Sequence, residues 1–232
     1  MIRNNLYLAG VLLATTLLAG CFHNDDDSNP VVSYEVSVTN LTEAQPLSPP
    51  ALILHSRGYH IWQIGTTASN GLEQLAEGGT PDALLTEASA HPSVKVATAD
   101  NAVILPGASS SVIIQSQQYG DLALSLATML VNTNDGFTGM KAEPLYTLAQ
   151  RERRSFTVTA YDAGTEANSE TASTVPGPAA GGEGYNSARD DSNSVSGHPG
   201  VISSDDGLGG SALNASHRFD NPVALITITR LQ

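Results

Sequence analysis

Cysteine is almost missing from this chain. Cys21 is the only one in 232 residues, and if it carries a lipid, the fold has no disulfide and no cysteine-bound metal centre. Positive charge is scarce too. Ten Lys and Arg stand against 23 Asp and Glu, a formal net charge of −13. That balance excludes nucleic-acid binding, because phosphate recognition needs clustered Lys and Arg. It suits an extracytoplasmic protein, or one that recruits divalent cations. Enzyme signatures are lacking: there is no G-x-S-x-G, no H-E-x-x-H and no P-loop. The one Trp, Trp62, is expected in the core, which claims tryptophan more often than a ligand pocket does. No internal repeat is visible.

Long apolar runs are confined to the N-terminus. Arg3 gives a positive start, Leu6 to Leu18 form a short apolar stretch, and Leu18-Ala19-Gly20-Cys21 follows. This reads as a bacterial lipoprotein signal over residues 1–20, with Cys21 as the lipid-modified first residue. A transmembrane helix is the alternative, but it needs about 20 apolar residues. Phe22, not an aspartate, follows the cysteine, which favours the outer membrane by the usual sorting rule for such lipoproteins. Residues 21–30 continue as an acidic tether, because Asp25-Asp26-Asp27 cannot pack. Residues 31–232 are long enough for one domain with a sizeable core.

Within that domain, strand signals dominate. Val32, Tyr34, Val36 and Val38 alternate with polar residues, the pattern of a half-buried strand. Ala51–His55, Val94–Thr98, Val103–Leu105, Ser111–Gln115, Arg154–Ala160 and Pro222–Arg230 read as further strands. Leu122–Val131 is a long apolar run broken only by Ser125 and Thr128; the strands and turn beside it favour a buried central strand over a helix. Gly71–Glu77 is helical in tone. Thr80-Pro81-Asp82 supplies an N-cap, a proline at the first helical position and an early acid for a second helix to about Ala88. The expected fold is an all-β antiparallel sandwich of about eight strands, with one or two short helices. A long Gly-, Ser-, Asn- and Asp-rich stretch, residues 164–219, precedes the last strand. It is either a disordered insertion or an ordered functional loop.

Two oxygen-rich turns carry the chemistry. Asp162-Ala163-Gly164-Thr165-Glu166 places two acids four residues apart around a glycine that lets the backbone fold back. Asn132-Thr133-Asn134-Asp135-Gly136 follows another strand-like run. If those runs neighbour each other, Asp135, Asp162 and Glu166 meet at one end of the sandwich as ligands for a hard cation such as Ca²⁺. The competing reading is local: Asp and Asn beside Gly form Asx-turns with no ion at all. An EF-hand is excluded. Asp191-Ser192-Asn193 begins like one, but its glycine and closing glutamate are misplaced. The histidines at 55, 60, 91, 198 and 217 match no metal-site spacing. His55 with Ser56 and Asp162 is the one imaginable triad, and a strand-end histidine more often caps a turn.

Several segments together resemble the spondin N-terminal domain family. They are Tyr34–Thr42 (YEVSVTNLT), Leu47–Pro50 with His55, Ala68–Leu72 (ASNGL), Ser125–Gly139 (SLATMLVNTNDGFTG), Tyr161–Glu166 (YDAGTE) and Pro222–Arg230. The resemblance implies an eight-stranded antiparallel sandwich with Ca²⁺ at one loop end, and carries the acidic ligands onto Asp135, Asp162 and Glu166. Glu166 stands where animal members have aspartate, which alters geometry through its longer reach. Gly136 precedes Phe137 where they place an aromatic directly after the aspartate. The expectation is a calcium-binding surface lipoprotein, joined to the membrane through Cys21, that binds a protein or glycan partner without being an enzyme. The alternatives are a structural envelope lipoprotein with no dedicated ligand, or a hydrolase that uses residues 164–219 as a lid.

Overall fold

The computed structural model describes residues 31–117, 120–188 and 191–232. The expected signal sequence, Cys21 and the expected acidic tether lie outside the described residues. Among the described residues, ten strands form two antiparallel sheets. They are β1 (Val32–Asn40), β2 (Ala51–His55), β3 (Val94–Ala99), β4 (Ser109–Ser116), β5 (Ala123–Met129), β6 (Gly136–Pro144), β7 (Arg153–Val158), β8 (Ala160–Asp162), β9 (Ser196–Gly197) and β10 (Ala224–Arg230). One sheet has the order β4-β1-β10-β7, the other β3-β2-β5-β6-β8-β9. Helices α1 (Asn70–Gly78) and α2 (Asp82–Ser89) complete the fold.

The sandwich core lies between the sheets. Tyr34, Val36, Ile226 and Ile228 from the smaller sheet meet Leu52, Leu54, Leu124 and Leu126 from the larger. The outer face of the larger sheet is covered as well. Ile53, Ala127 and Phe137 pack under Leu72, Leu75 and Leu84 of the two helices, with Trp62 in the same cluster. This second layer explains the pattern of β2 and β5. Every residue of both strands is buried, so neither face has to be polar, and each reads as a mostly apolar run instead of an alternation. The expected central strand at Leu122–Val131 is β5, between β2 and β6. Truncating Leu124 or Leu126 there is expected to cost about 2–5 kcal/mol.

Three local expectations are corrected. Arg154–Ala160 is not one strand: β7 ends at Val158 in the smaller sheet, and β8 begins at Ala160 in the larger. The chain changes sheets at Thr159, where Asn221 Oδ1 accepts from Ala160 N (2.8 Å) and Val158 O accepts from Val223 N (3.0 Å). A switch between sheets leaves the alternation of side chains undisturbed and so leaves no periodic trace. Val103–Leu105 contributes one isolated bridge, Ile104 to Leu47, and no strand. Pro81 is the N-cap of α2, not its first helical residue, and no side chain caps that end. Helix α1 has the side-chain cap instead, with Ser69 Oγ accepting from Leu72 N.

The segment from 164 to 219 is ordered wherever it is described. It contributes β9, two short 3₁₀ turns and a small core of Val175, Val201 and Leu213. It is also stitched to the body of the sandwich. Gly65 N donates to Val195 O and Val195 N to Thr66 O, each at 2.8 Å.

Candidate metal centre

Strand β6 decides where the acids meet. The run β5 ends in a turn that the Thr133 side chain closes: its Oγ1 donates to Leu130 O (2.6 Å) and accepts from Gly136 N (2.8 Å). β6 then pairs with β8 so that Gly136 sits opposite Asp162. Asp135 and Asp162 are therefore brought to one end of neighbouring strands, as the sequence suggests, although the neighbour of β8 is β6 and not β5.

The turns are joined by side chains and not merely folded on themselves. Asp135 Oδ2 accepts from Thr165 N (2.8 Å), Glu166 N (3.1 Å) and Thr165 Oγ1 (3.4 Å). Asn134 Nδ2 donates to Glu166 Oε1 at 2.9 Å, and Asn134 Oδ1 accepts from Glu170 N at 3.1 Å. Asn132 reaches elsewhere, donating to Ala44 O (2.8 Å) and accepting from Ala179 N (3.0 Å). Only Asp162 makes the local bond of an Asx-turn, from Gly164 N at 2.8 Å; its second oxygen accepts from Asn168 Nδ2 at 2.6 Å. The local-turn reading thus holds for Asp162 and fails for Asn132, Asn134 and Asp135.

Gly164 is required twice over. Its φ is +68°, which favours glycine, and a Cβ would lie 2.5 Å from Ser194 O and 2.6 Å from Ser192 Oγ. The close approach brings the middle of the long segment against the 162–166 turn.

Two buried groups join the three predicted acids. Glu170 and His198 both come from the long segment, and Glu170 is fully buried. The Asp162 charge acts on both, as it does on Asp135. Burial, with the Asp162 carboxylate adding, pushes Asp135 up to about 7 against the Thr165 and Glu166 N–H groups. Burial likewise raises Glu170 to about 7, opposed by the Ile202 N–H and aided by Asp162. Burial holds His198 down at about 4 against the attraction of Asp162. His198 Nδ1 accepts from Gly200 N at 3.0 Å, so the neutral ring carries its proton on Nε2. A Cβ on Gly136 would meet His198 Cδ2 at 3.0 Å, which fixes the ring against the 133–136 turn.

Sequence reasoning misses Glu170 and gives no link between His198 and these turns. Glu170 lies in a stretch with no periodicity, and its approach to Asn134 across 36 residues has no local signature. His198 precedes Pro199-Gly200, a turn signal that says nothing about where the ring points.

The donors suit a hard cation. They are carboxylate oxygens on rigid turns, and Asp135 Oδ1 and Glu170 Oε2 are buried without a hydrogen-bond partner. None of the ion pairs between described residues involves Asp135, Asp162 or Glu170. The arrangement differs from a formed ion site in one respect. Among the described residues no three Asp, Glu, His or Cys side chains are grouped to hold an ion as they stand. The amide groups of Asn134 and Asn168 occupy carboxylate oxygens that a cation would take, so ion binding must exchange those bonds for metal bonds.

The imagined triad is not assembled. His55 is buried, its Nε2 bonded to Ser125 Oγ and its Nδ1 to Ser56 O, both at 2.9 Å. Ser56 Oγ donates instead to Ser93 O. Trp62 is in the core, its ring centroid 5.1 Å from Phe137 and 5.3 Å from Tyr161.

A comparison with curated proteins returns no match. A family model described as Spondin_N matches residues 47–180, more than half of the chain. The match includes both turns and Glu170 and stops short of His198. With the two antiparallel sheets and the order of the quoted segments, it places the chain in a definite group: this protein belongs to the spondin N-terminal domain family.

Proposed function

We propose that this protein is a calcium-binding extracytoplasmic lipoprotein that works as a binding or adhesion module, not as an enzyme. The observation that carries the reading is Asp135: a buried carboxylate between two docked turns, with Oδ1 unpartnered and Asp162 beside it. Like charges at such range in a poorly solvated site favour proton uptake or a cation. A divalent ion would be held by Asp135, Asp162 and Glu166. Its role is to fix the loops at that end of the sandwich and pre-organise them for a protein or glycan at the cell surface. Cys21 supplies the lipid, and the cell envelope, at the outer membrane, is the place.

Calcium titration of the full chain by calorimetry and thermal melting tests the reading, with chelator and Asp162→Asn as controls. Saturable heat and a raised melting temperature, both lost in Asp162→Asn, support it. An absence of heat and shift in the wild-type chain would sink it.

One observation favours a second reading, a structural envelope lipoprotein without a dedicated ligand. The two turns already dock through the three bonds that Asp135 Oδ2 accepts. Calcium-dependent binding to cells or matrix glycans separates the two.

A further inference from the structure

Glu170 is placed where four stretches of chain meet. Its N–H donates to Asn134 Oδ1 (3.1 Å), and the same Asn134 side chain holds Glu166. Its carbonyl accepts from Ala212 N at 2.8 Å. Its Oε1 accepts from Ile202 N at 3.3 Å. Its backbone has φ +56°, a region that non-glycine residues seldom adopt and that costs about 1 kcal/mol or more. All this holds the side chain fully buried, yet Oε2 meets no donor. A buried carboxylate fixed in a strained conformation with one oxygen unused is costly as structure alone. It is explained if that oxygen has a cation to meet. His198 does not compete for the ion, because Gly200 N occupies Nδ1 and leaves Nε2 as a proton donor.

We propose that Glu170 is a fourth carboxylate ligand for the cation at Asp135, Asp162 and Glu166, and that the ion thereby ties the 199–213 stretch to the sandwich. The proposal rests on the calcium reading above. Ile202 and Ala212, bonded to Glu170, transmit the tie: fixing Glu170 fixes the two backbone positions that close this part of the segment. The bound ion then becomes a condition for the shape of the loop surface, not only for the two short turns.

Calorimetry of Ca²⁺ binding and amide hydrogen exchange over residues 199–213 test this on the full chain, comparing wild type, Glu170→Gln and Asp162→Asn. Glutamine keeps an acceptor for Ile202 N–H and removes only the charge and its metal affinity. Glu170→Gln is expected to weaken calcium binding at least tenfold and to abolish the calcium-dependent slowing of exchange, while melting no lower than the wild type in chelator. Wild-type affinity and protection in Glu170→Gln, with binding abolished in Asp162→Asn, would overturn the proposal and leave the calcium reading standing. A wild-type chain that binds no calcium would overturn both. Should Glu170→Gln fail to fold in chelator, amide exchange of the wild-type chain with calcium and with chelator decides: calcium-dependent slowing over residues 199–213 supports the tie, and calcium binding without that slowing overturns it.

Discussion

Two polar clusters are buried in the larger sheet, and they are built on opposite terms. At the first, His55 on β2 meets Ser125 on β5, and Ser125 Oγ accepts from Ala142 N on β6 (2.9 Å). Every donor there finds an acceptor: Ser56 O takes the His55 Nδ1 proton, and the Ser125 hydroxyl bonds Nε2. Burial lowers the His55 pKa, which keeps the ring neutral. The pair lies where two ladders are irregular, that of β2 with β3 at Leu54/His55 and that of β5 with β6 at Leu124/Leu126. At the second cluster, Asp135, Asp162 and Glu170 gather negative charge, and Asp135 Oδ1, Glu170 Oε2 and His198 Nε2 lack partners. Complete satisfaction is the mark of a structural device, whereas buried charge with unused valence points to a ligand. That contrast is why the histidine-serine pair, despite its hydrolase-like geometry, is read as structure.

The contrast breaks most severely at Gly164. Replacing it with alanine forces a left-handed φ on a side chain and drives Cβ into Ser194 O. Gly164→Ala is expected to cost about 3 kcal/mol, from backbone strain and overpacking together, read as a fall in melting temperature in chelator. If that fall is under a degree, the close approach is not a constraint.

Next in size is the charge at the centre of the cluster. Asp162→Asn is expected to weaken Ca²⁺ binding about 100-fold, equivalent to roughly 2.7 kcal/mol. In chelator it should melt no lower than the wild type, because it relieves Asp135 and Glu170 of a like charge. Equal calcium affinity in the two chains would remove Asp162 from the site.

Ser125→Ala probes the satisfied cluster. It strands the Ala142 N–H and one His55 nitrogen, at a cost of about 2 kcal/mol. That cost should be the same with calcium and with chelator. A calcium-dependent difference would show that the two clusters are coupled, contrary to their separate hydrogen-bond networks.

The dependence on pH in chelator probes the charged cluster once more. Asp135 and Glu170 rise from ordinary values of 3.8 and 4.5 to about 7 on folding. Between about pH 4 and 7 the folded chain therefore holds protons that the unfolded chain releases, and stability falls as pH rises. His198 opposes this. Held at about 4, it contributes stability that is lost as pH falls from 6.5 toward 4. Two carboxyls, both facing Asp162, outweigh one imidazole, so the melting temperature should decline modestly from pH 5 to pH 8. Calcium, which binds the ionised carboxylates, should reverse the slope; a decline that persists in saturating calcium would argue against an ion among these groups.

Much of this architecture is legible in the chain itself. The alternation from Val32 to Val38 marks β1, and the long, mostly apolar run at Leu122–Val131 marks β5 as central. The acids at 135, 162 and 166 stand out because glycine-bearing turns concentrate oxygen ligands, and the fold brings their turns together. β6 is not legible in the same way: Gly136–Pro144 contains glycines at 136 and 139 and looks like an extension of the turn. Gly139 is there because Leu126 O lies 1.9 Å from where its Cβ would be, a tertiary reason that no local pattern conveys.

By itself, then, the sequence determined the β class, two buried strands and two acidic turns, since side-chain period and turn chemistry act between near neighbours. Only the tertiary structure decided that the chain changes sheets at Thr159, and that Glu170 and His198 return to Asp162 from a segment with no pattern of its own. Those outcomes depend on contacts across 30 residues or more, such as Asp135 to Thr165 and Asn134 to Glu170. Such contacts are chosen by which surfaces the folded sheets leave to be covered, and not by the residues on either side of them in the chain.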